Sequence, residues 1–267
     1  GQHRLYGYSD SKFAASNTVP VVAFVDLDRS QQLRLFMEIN ENQKSVSKTL
    51  RNCLTVDMDW DSDDFNNQRK ALRSHIAQRL GEDISSPLYK RVILEEDEEA
   101  KNPIKCITIE AIQNALRYCH FFNTYKNNKL IRNGTFDRGS NDSSLELFYP
   151  ILLDCLNYLK TCLPAEWEKG ESENGLLTIN SAIGGIIRVI DDIVNYLIDN
   201  KQIKPLISKR TDIVDSICYY LGAVVKFYES MTDEQRMTLR KSYGGGGVIE
   251  LWRNFQKSIN SVEPSFC

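Results

Sequence analysis

The sequence contains no run of eighteen apolar residues and no signal-peptide pattern within its 267 residues. A helix that spans a bilayer needs about 20 mainly apolar residues, and a secretory signal needs an apolar stretch behind a basic start. We therefore expect no membrane partner. Apolar residues make up 42% and charged residues 26% of the chain, as is usual for globular domains. The length allows one large domain or two smaller ones.

A paired-cysteine motif is also missing. The seven cysteines are odd in number and form no Cys-x-x-Cys pair, which argues against a disulfide framework or a zinc site. Cys119, Cys155 and Cys218 fall on apolar faces of predicted helices. This usage predicts buried thiols in a reducing cytoplasm.

The common catalytic motifs are absent as well. The sequence has no Ser-His-Asp spacing, no His-x-x-x-His pair and no Gly-x-Ser-x-Gly turn. His75 and His120 lie inside predicted helices, which favours structural roles. Asp191 and Asp192 form a carboxylate pair, but neighbouring residues point about 100° apart on a helix. We therefore predict that this pair is exposed to solvent.

The chain lacks the positive net charge that is usual for a DNA-binding domain. It has 33 basic and 36 acidic residues, for a net charge of −3. Basic residues concentrate at 126–132, 201–210 and 236–241, and acidic residues at 57–64 and 95–99. Taken one at a time, each run is predicted to be a solvated face. A basic surface requires that some of these residues meet in the fold.

The first four residues, Gly1, Gln2, His3 and Arg4, carry the most specific motif. Glycine lets the backbone approach a ligand closely. A helix that begins there presents unpaired N–H groups to an anion, and the arginine fork suits phosphate. The motif predicts a phosphate cradle. An ordinary frayed terminus is the alternative.

The residues that follow predict a short α/β arrangement. A short helix through Ala15 precedes residues 19–25, an apolar, β-branched run typical of a buried strand. Asp28 and Gln31 then form a capping box. The helix that it opens places four residues on one face: Leu33, Phe36, Met37 and Asn40.

These motifs and their order resemble the DGQHR-domain family, which includes the DndB proteins of DNA phosphorothioation systems. The match covers about residues 1–55, namely Gly1 to Arg4, the Val-Pro-Val-Val run at 19–22, and 35–40 with Gln43 and Lys44. More distantly, the layout is similar to ParB-type proteins and sulfiredoxin. The family's leading Asp would stand just before Gly1, so the resemblance implies that an upstream segment supplies this Asp and further strands.

The resemblance implies a nucleotide- or phosphate-binding site built from seven residues: Gly1, Gln2, His3, Arg4, Asn40, Gln43 and Lys44. It also implies a nucleoside triphosphate with Mg²⁺ as cofactor. ParB-type proteins place a Glu directly before the Asn, where this chain has Ile39, so Glu38 and Glu41 are the remaining candidate metal ligands. This departure argues against Mg²⁺-assisted hydrolysis more than against nucleotide binding, which needs only donors.

The rest of the chain is predicted to be helical. Apolar periodicity predicts helices over 65–80, from Thr108 to about 119, and over 144–163, 179–197, 212–228, 232–241 and 248–259. Pro150 is expected to kink its helix or to mark its first turn. Gly184 and Gly185 are expected to let a neighbouring helix approach closely. Polar residues predict loops over 85–103 and 127–142.

We therefore predict an α+β, mostly α fold. Residues 1–61 would be the C-terminal part of a ParB-like DGQHR core, and residues 62–267 a helical domain built on it.

A glycine run near the end predicts a second anion site. Gly244, Gly245, Gly246 and Gly247 precede a predicted helix that carries Arg253, and backbone N–H groups at such a start can bind an anion. A hinge for the last helix is the alternative. No Lys-Ser/Thr follows the glycines, so this is not a P-loop.

Three functions are compatible with these patterns. The first is a DNA-associated regulatory or accessory protein of a DNA-modification or phage-defence system, with DNA, a nucleotide and other proteins of that system as partners. The second is an enzyme of ParB type that hydrolyses a nucleoside triphosphate. The third is a non-enzymatic scaffold whose helical bundle docks other proteins.

Overall fold

The computed structural model describes residues 6–7, 11–14, 16, 22–41, 54, 56–94, 102–242 and 244–266. These residues are mostly helical. The helices are α1 (Arg29–Glu41), α2 (Phe65–Glu82), α3 (Ile109–Tyr118), α4 (Asn141–Cys162), α5 (Pro164–Lys169), α6 (Asn180–Asp199), α7 (Arg210–Ser230), α8 (Asp233–Arg240) and α9 (Gly244–Asn260). The strands are β1 (Val92–Ile93), β2 (Ile107–Thr108), β3 (Thr124–Lys126) and β4 (Lys129–Arg132). Within this part of the chain, no helix has the length and apolar character needed to cross a bilayer.

Helix α6 lies at the centre of the fold and packs against α3, α7 and α9. Its predicted apolar face is buried, including Ile183, Ile186, Ile190, Ile193 and Leu197. Apolar residues three or four positions apart line one side of a helix. Burying each such side chain contributes about 1.5–3 kcal/mol. The predicted helical bundle is therefore confirmed.

The contact between α6 and α9 depends on two glycines. A Cβ atom on Gly184 would lie 3.1 Å from a methyl carbon of Val248. A Cβ atom on Gly185 would lie 3.2 Å from the backbone nitrogen of Trp252. The close approach predicted from these glycines is confirmed.

Helix starts follow the predicted caps. The Thr108 hydroxyl accepts a hydrogen bond from the backbone of Ala111 at 3.2 Å. Thr232 and Gln235 form a capping box at the start of α8. Asp28 and Gln31 form another before α1, with bonds of 2.8 and 3.1 Å. Each cap satisfies backbone N–H groups that the first turn leaves free.

Helix α4 starts three residues before the predicted 144–163 span. It begins at Asn141 and runs through Pro150 to Cys162. The prediction that Pro150 marks the first turn is therefore wrong. Ser140 caps the helix, because its hydroxyl accepts a hydrogen bond from the backbone of Ser143.

Two segments predicted as loops contain strands. Residues 92–93 pair in parallel with 107–108, and residues 124–126 pair antiparallel with 129–132. Asn127 and Asn128 close the hairpin at φ values of 50° and 57°, a left-handed geometry that asparagine tolerates. This hairpin was not predicted, because the segment 127–142 is polar and the strands are short and exposed.

The predicted buried strand at 19–25 is not formed in its described part. Residues 22–25 have no strand pairing and are exposed. The predicted helix after them is confirmed as α1, but Phe36 and Ile39 on it are 48% and 49% exposed. An apolar run forms a strand only where a partner strand pairs with it, and no described residue does so here. The ParB-like core stays a prediction.

Candidate functional site

The residues predicted to cradle phosphate cannot be placed. Gly1, Gln2, His3 and Arg4 lie outside the described residues, as do Gln43 and Lys44. Asn40 and Glu41 belong to the last turn of α1, but their side chains are not described. Glu38 is an exposed residue of the same helix. The proposed grouping of these residues stays a prediction.

A different basic site lies between α2, α3 and β3. This pocket has a volume of about 490 Å³. Helix α2 contributes Arg69, Lys70 and Arg73, and α3 contributes Arg117. Arg73 lies four residues after Arg69 and three after Lys70, so it shares a side of α2 with each of them, and all three line the pocket.

Three of these cations have no hydrogen-bonded or ion-paired partner among the described residues. Lys70, Arg73 and Arg117 make no hydrogen bond or ion pair with any described residue. The described lining includes no Asp or Glu. Burial, followed by the nearby charges of Arg117 and Arg69, lowers the pKa of Arg73 to about 10. Arg73 remains protonated at neutral pH. An anion in the pocket would therefore offset both the desolvation cost of its buried charge and the repulsion from the neighbouring arginines.

Arg69 differs from the other three because it is fully paired. Its guanidinium binds both oxygens of Asp137, at 2.6 and 2.8 Å, and donates to Asn141 and to the carbonyl of Gly139. Asp137 also accepts hydrogen bonds from the backbone of Asn123 and Gly139. Both charged side chains are almost completely buried. This network fixes the floor of the pocket and connects α2 to the start of α4.

Carboxamides supply the other polar groups of the pocket. Gln113 is engaged with Ser74, and Asn123 with the Tyr125 hydroxyl. The side chains of Asn66, Asn67 and Asn114 have no hydrogen bond to a described residue. Free carboxamides can donate and accept. The pocket therefore combines surplus positive charge with groups that can contact a neutral part of a ligand.

A second polar cluster surrounds Asp191. This carboxylate accepts from the His120 backbone at 2.8 Å and pairs with His120 Nδ1 at 2.7 Å. Asp192 accepts hydrogen bonds from Trp252 and Gln256. The prediction that this aspartate pair is solvent-exposed is wrong, because Asp191 is buried and Asp192 half-buried, in contact with His120, two residues after α3, and with α9. His120 lies two residues past the end of α3, so the prediction that it lies inside a helix is wrong, and its structural role stays a prediction.

This cluster makes stability depend on pH. Burial raises the pKa of Asp192 from 3.8 to about 6, against the opposing hydrogen bonds from Trp252 and Gln256. The folded state therefore binds a proton more tightly than the unfolded state, and the resulting stability is lost as pH rises from about 4 through 6. We expect Asp192→Asn to raise the free energy of unfolding at pH 8 by up to about 3 kcal/mol and to leave it unchanged near pH 4.

Urea unfolding of both proteins across this pH range measures the difference. Comparing the variant with the parent cancels the contributions of titrating groups that do not interact with Asp192. The adjacent Asp191 does interact, because its charge helps to raise the Asp192 pKa and burial raises its own, so the measured difference includes this coupling. A stability difference that does not change with pH would contradict the assignment.

The predicted second anion site is not assembled as expected. Gly244 to Gly247 form the first turn of α9 rather than a loop before it. Arg253 lies nine residues after Gly244 and six after Gly247, or about 9–14 Å along the helix axis. Near the helix start, the Ser242 hydroxyl instead contacts the carboxylate of Glu250. The structure therefore does not bring Arg253 to the exposed N–H groups.

The basic run at 236–241 is used inside the protein. Arg236 pairs with the buried carboxylate of Glu166, and Arg240 donates to the carbonyls of Gly175 and Glu171. These arginines hold α8 against the segment that follows α5. They are not part of a free basic surface.

Metal ligands are not grouped in the described part of the chain. There, no cluster of three His, Cys, Asp or Glu side chains is placed to hold a metal ion. The predicted Mg²⁺ site at Glu38 and Glu41 stays a prediction, since the Glu41 side chain is not described.

Sequence reasoning missed the pocket. Arg69, Lys70 and Arg73 lie on a helix that was predicted, but Arg117 joins them only when α2 packs against α3.

Comparison with known proteins gives no match, whether to a family model, to a curated protein or to a solved structure. The DGQHR resemblance remains a prediction that depends on its motifs.

Proposed function

We propose that this chain is a DNA-associated regulatory or accessory protein of a DNA-modification or phage-defence system, and that the α2/α3 pocket binds phosphate groups. The resemblance of residues 1–55 supports the biological setting. The chemistry is supported by one observation: Lys70, Arg73 and Arg117 surround one cavity without a partner carboxylate in its described lining. Arginine and lysine in this arrangement suit phosphate oxygens.

The position of the cations favours contact with DNA at the mouth of the pocket. Lys70 and Arg117 are exposed, whereas Arg73 is half-buried. The net charge of −3 does not oppose this, because salt screens charges beyond a distance of about 8–10 Å. Local charge at the pocket therefore decides whether a phosphate backbone binds there.

The test is DNA binding at several salt concentrations. We expect the double variant Lys70→Gln/Arg117→Gln to bind a labelled duplex at least tenfold more weakly, since each lost charge-assisted contact costs roughly 1.5 kcal/mol or more. The slope of log affinity against log salt should fall by about 2. Fluorescence anisotropy of the duplex measures both quantities.

A charge-matched control separates a local effect from a general one. Lys226→Gln/Lys257→Gln removes two exposed charges, from α7 and α9, and should leave affinity and slope close to the parent values. Equal weakening by both double variants would contradict a specific role for the pocket. Absence of binding by the parent at low salt would remove the proposal.

A further inference from the structure

We infer that the pocket's own small ligand is a compact polyphosphate, such as the phosphate chain of a nucleotide, which is bound without a divalent metal and competes with DNA. This inference rests on the proposed phosphate-binding role and specifies its ligand and its regulation. It follows from the charge, depth and lining of the cavity.

The positive charge around the cavity exceeds the single negative charge of one DNA backbone phosphate. Arg69 is neutralised by Asp137, whereas Lys70, Arg73 and Arg117 line the same volume without a carboxylate in its described lining. Asp59, outside the lining, offsets part of the Lys70 charge. A ligand that brings several linked phosphates into the cavity matches this surplus. A backbone phosphate of DNA carries a single negative charge.

The shape of the cavity favours a terminal phosphate chain over a phosphate in the middle of a DNA strand. Walls from α2, α3 and β3 enclose about 490 Å³, within the usual range for small-molecule pockets. Arg73 is half-buried, below the exposed Lys70 and Arg117. A phosphate inside a DNA strand is flanked by sugars on both sides, so it meets the mouth more readily than the interior. A terminal phosphate chain can enter and reach Arg73.

The lining is unsuited to Mg²⁺. Magnesium in phosphate sites is held by one or two carboxylates together with the phosphates, and the described lining of this pocket includes none. The nearby Asp137 is committed to Arg69 and to two backbone N–H groups. Asp59 is close enough to Lys70 for their charges to interact but does not line the cavity. The three cations therefore take the charge-neutralising role that a metal has elsewhere.

The polyphosphate and the DNA backbone would contact the same cations, so the two ligands cannot bind there at the same time. A polyphosphate that contacts Lys70 and Arg117 removes the positive charge that the DNA backbone needs at the mouth. Binding of the small ligand should therefore release DNA. Coupling of this kind must be reciprocal, since each ligand lowers the affinity for the other by the same factor.

The experiment is calorimetric titration of the full chain with tripolyphosphate in excess EDTA, with orthophosphate at matched ionic strength as the reference. We expect tripolyphosphate to bind at least tenfold more tightly than orthophosphate. Arg73→Gln should weaken this binding at least tenfold. Lys226→Gln/Lys257→Gln should leave it unchanged. Thermal melts of each variant confirm that it is folded.

A second titration identifies the source of the phosphate chain. Adenosine triphosphate binding more than tenfold tighter than tripolyphosphate would indicate a nucleotide that also uses the free carboxamides of Asn66, Asn67 and Asn114. Equal affinity would indicate inorganic polyphosphate. Either result supports a metal-free polyphosphate pocket.

The failures of the two proposals are distinguishable. Tripolyphosphate binding that requires Mg²⁺, or that matches orthophosphate, would overturn the inference. If Lys70→Gln/Arg117→Gln still weakens DNA binding in that case, the proposed function stands. If neither DNA nor tripolyphosphate binds the folded parent protein, both proposals fail.

Discussion

Replacing Asp137 by Asn is expected to lower the free energy of unfolding by about 3–5 kcal/mol. The change leaves the buried guanidinium of Arg69 without a counter-charge, and Arg69 is only 1% exposed. Asparagine offers a single side-chain oxygen, where the carboxylate now serves both Arg69 and two backbone N–H groups. Urea unfolding followed by circular dichroism measures the loss.

The matched control is Asp61→Asn, because Asp61 is exposed and surface substitutions usually change stability by less than about 0.5 kcal/mol. A double-mutant cycle with Arg69→Met tests the pairing directly. The combined variant should lose less stability than the two single variants together, since each single change strands one buried charge. Additive losses would show that Arg69 and Asp137 act independently.

Replacing Gly185 by Val should destabilise the fold by about 3 kcal/mol, at the upper end of typical overpacking costs. The Cβ position already meets Phe255 and the Trp252 backbone nitrogen at 3.2 Å. The two further methyl groups of valine would have to push α9 away from α6, at the centre of the bundle. Thermal and urea unfolding of the variant provide the measurement.

Gly222 in α7 provides the opposite control. A Cβ atom there meets only the Tyr158 hydroxyl, at 3.4 Å, an ordinary contact distance. Alanine in a helix interior is favoured over glycine by about 1 kcal/mol, so Gly222→Ala should stabilise the protein or leave it unchanged. If Gly185→Val were tolerated equally well, the tight α6–α9 contact would be contradicted.

The helices could be predicted because the contacts and residue spacings that form them lie close together in the sequence. Thr108, Thr232 and Asp28 cap helices through contacts within four residues, and the isoleucine spacing of α6 is visible in the chain itself. The hairpin at 124–132 was not predicted, because strands of three or four exposed residues leave no apolar alternation. The run at 19–25 has strand-like composition, but composition does not supply a partner strand.

The pocket required knowledge that only the fold provides. Arg73 and Arg117 are 44 positions apart in the chain and meet because α2 packs against α3. Asp191 accepts a hydrogen bond from the backbone of His120, 71 positions away. By contrast, Arg236 and Arg240 look like a basic surface in sequence, yet both bind groups inside the protein. Charge runs along the chain therefore indicated the wrong residues, and the pocket formed where helix faces combine.

The tip of the β3–β4 hairpin is tethered to the start of α2. Asn128 accepts a hydrogen bond from the Phe65 backbone and donates to the Asp63 carbonyl, both at 3.0 Å. One wall of the cavity is thus locked to another before any ligand arrives. A cavity preorganised in this way gives up little conformational entropy on association. Stopped-flow traces should accordingly show one concentration-dependent phase, without a slow isomerisation after the encounter.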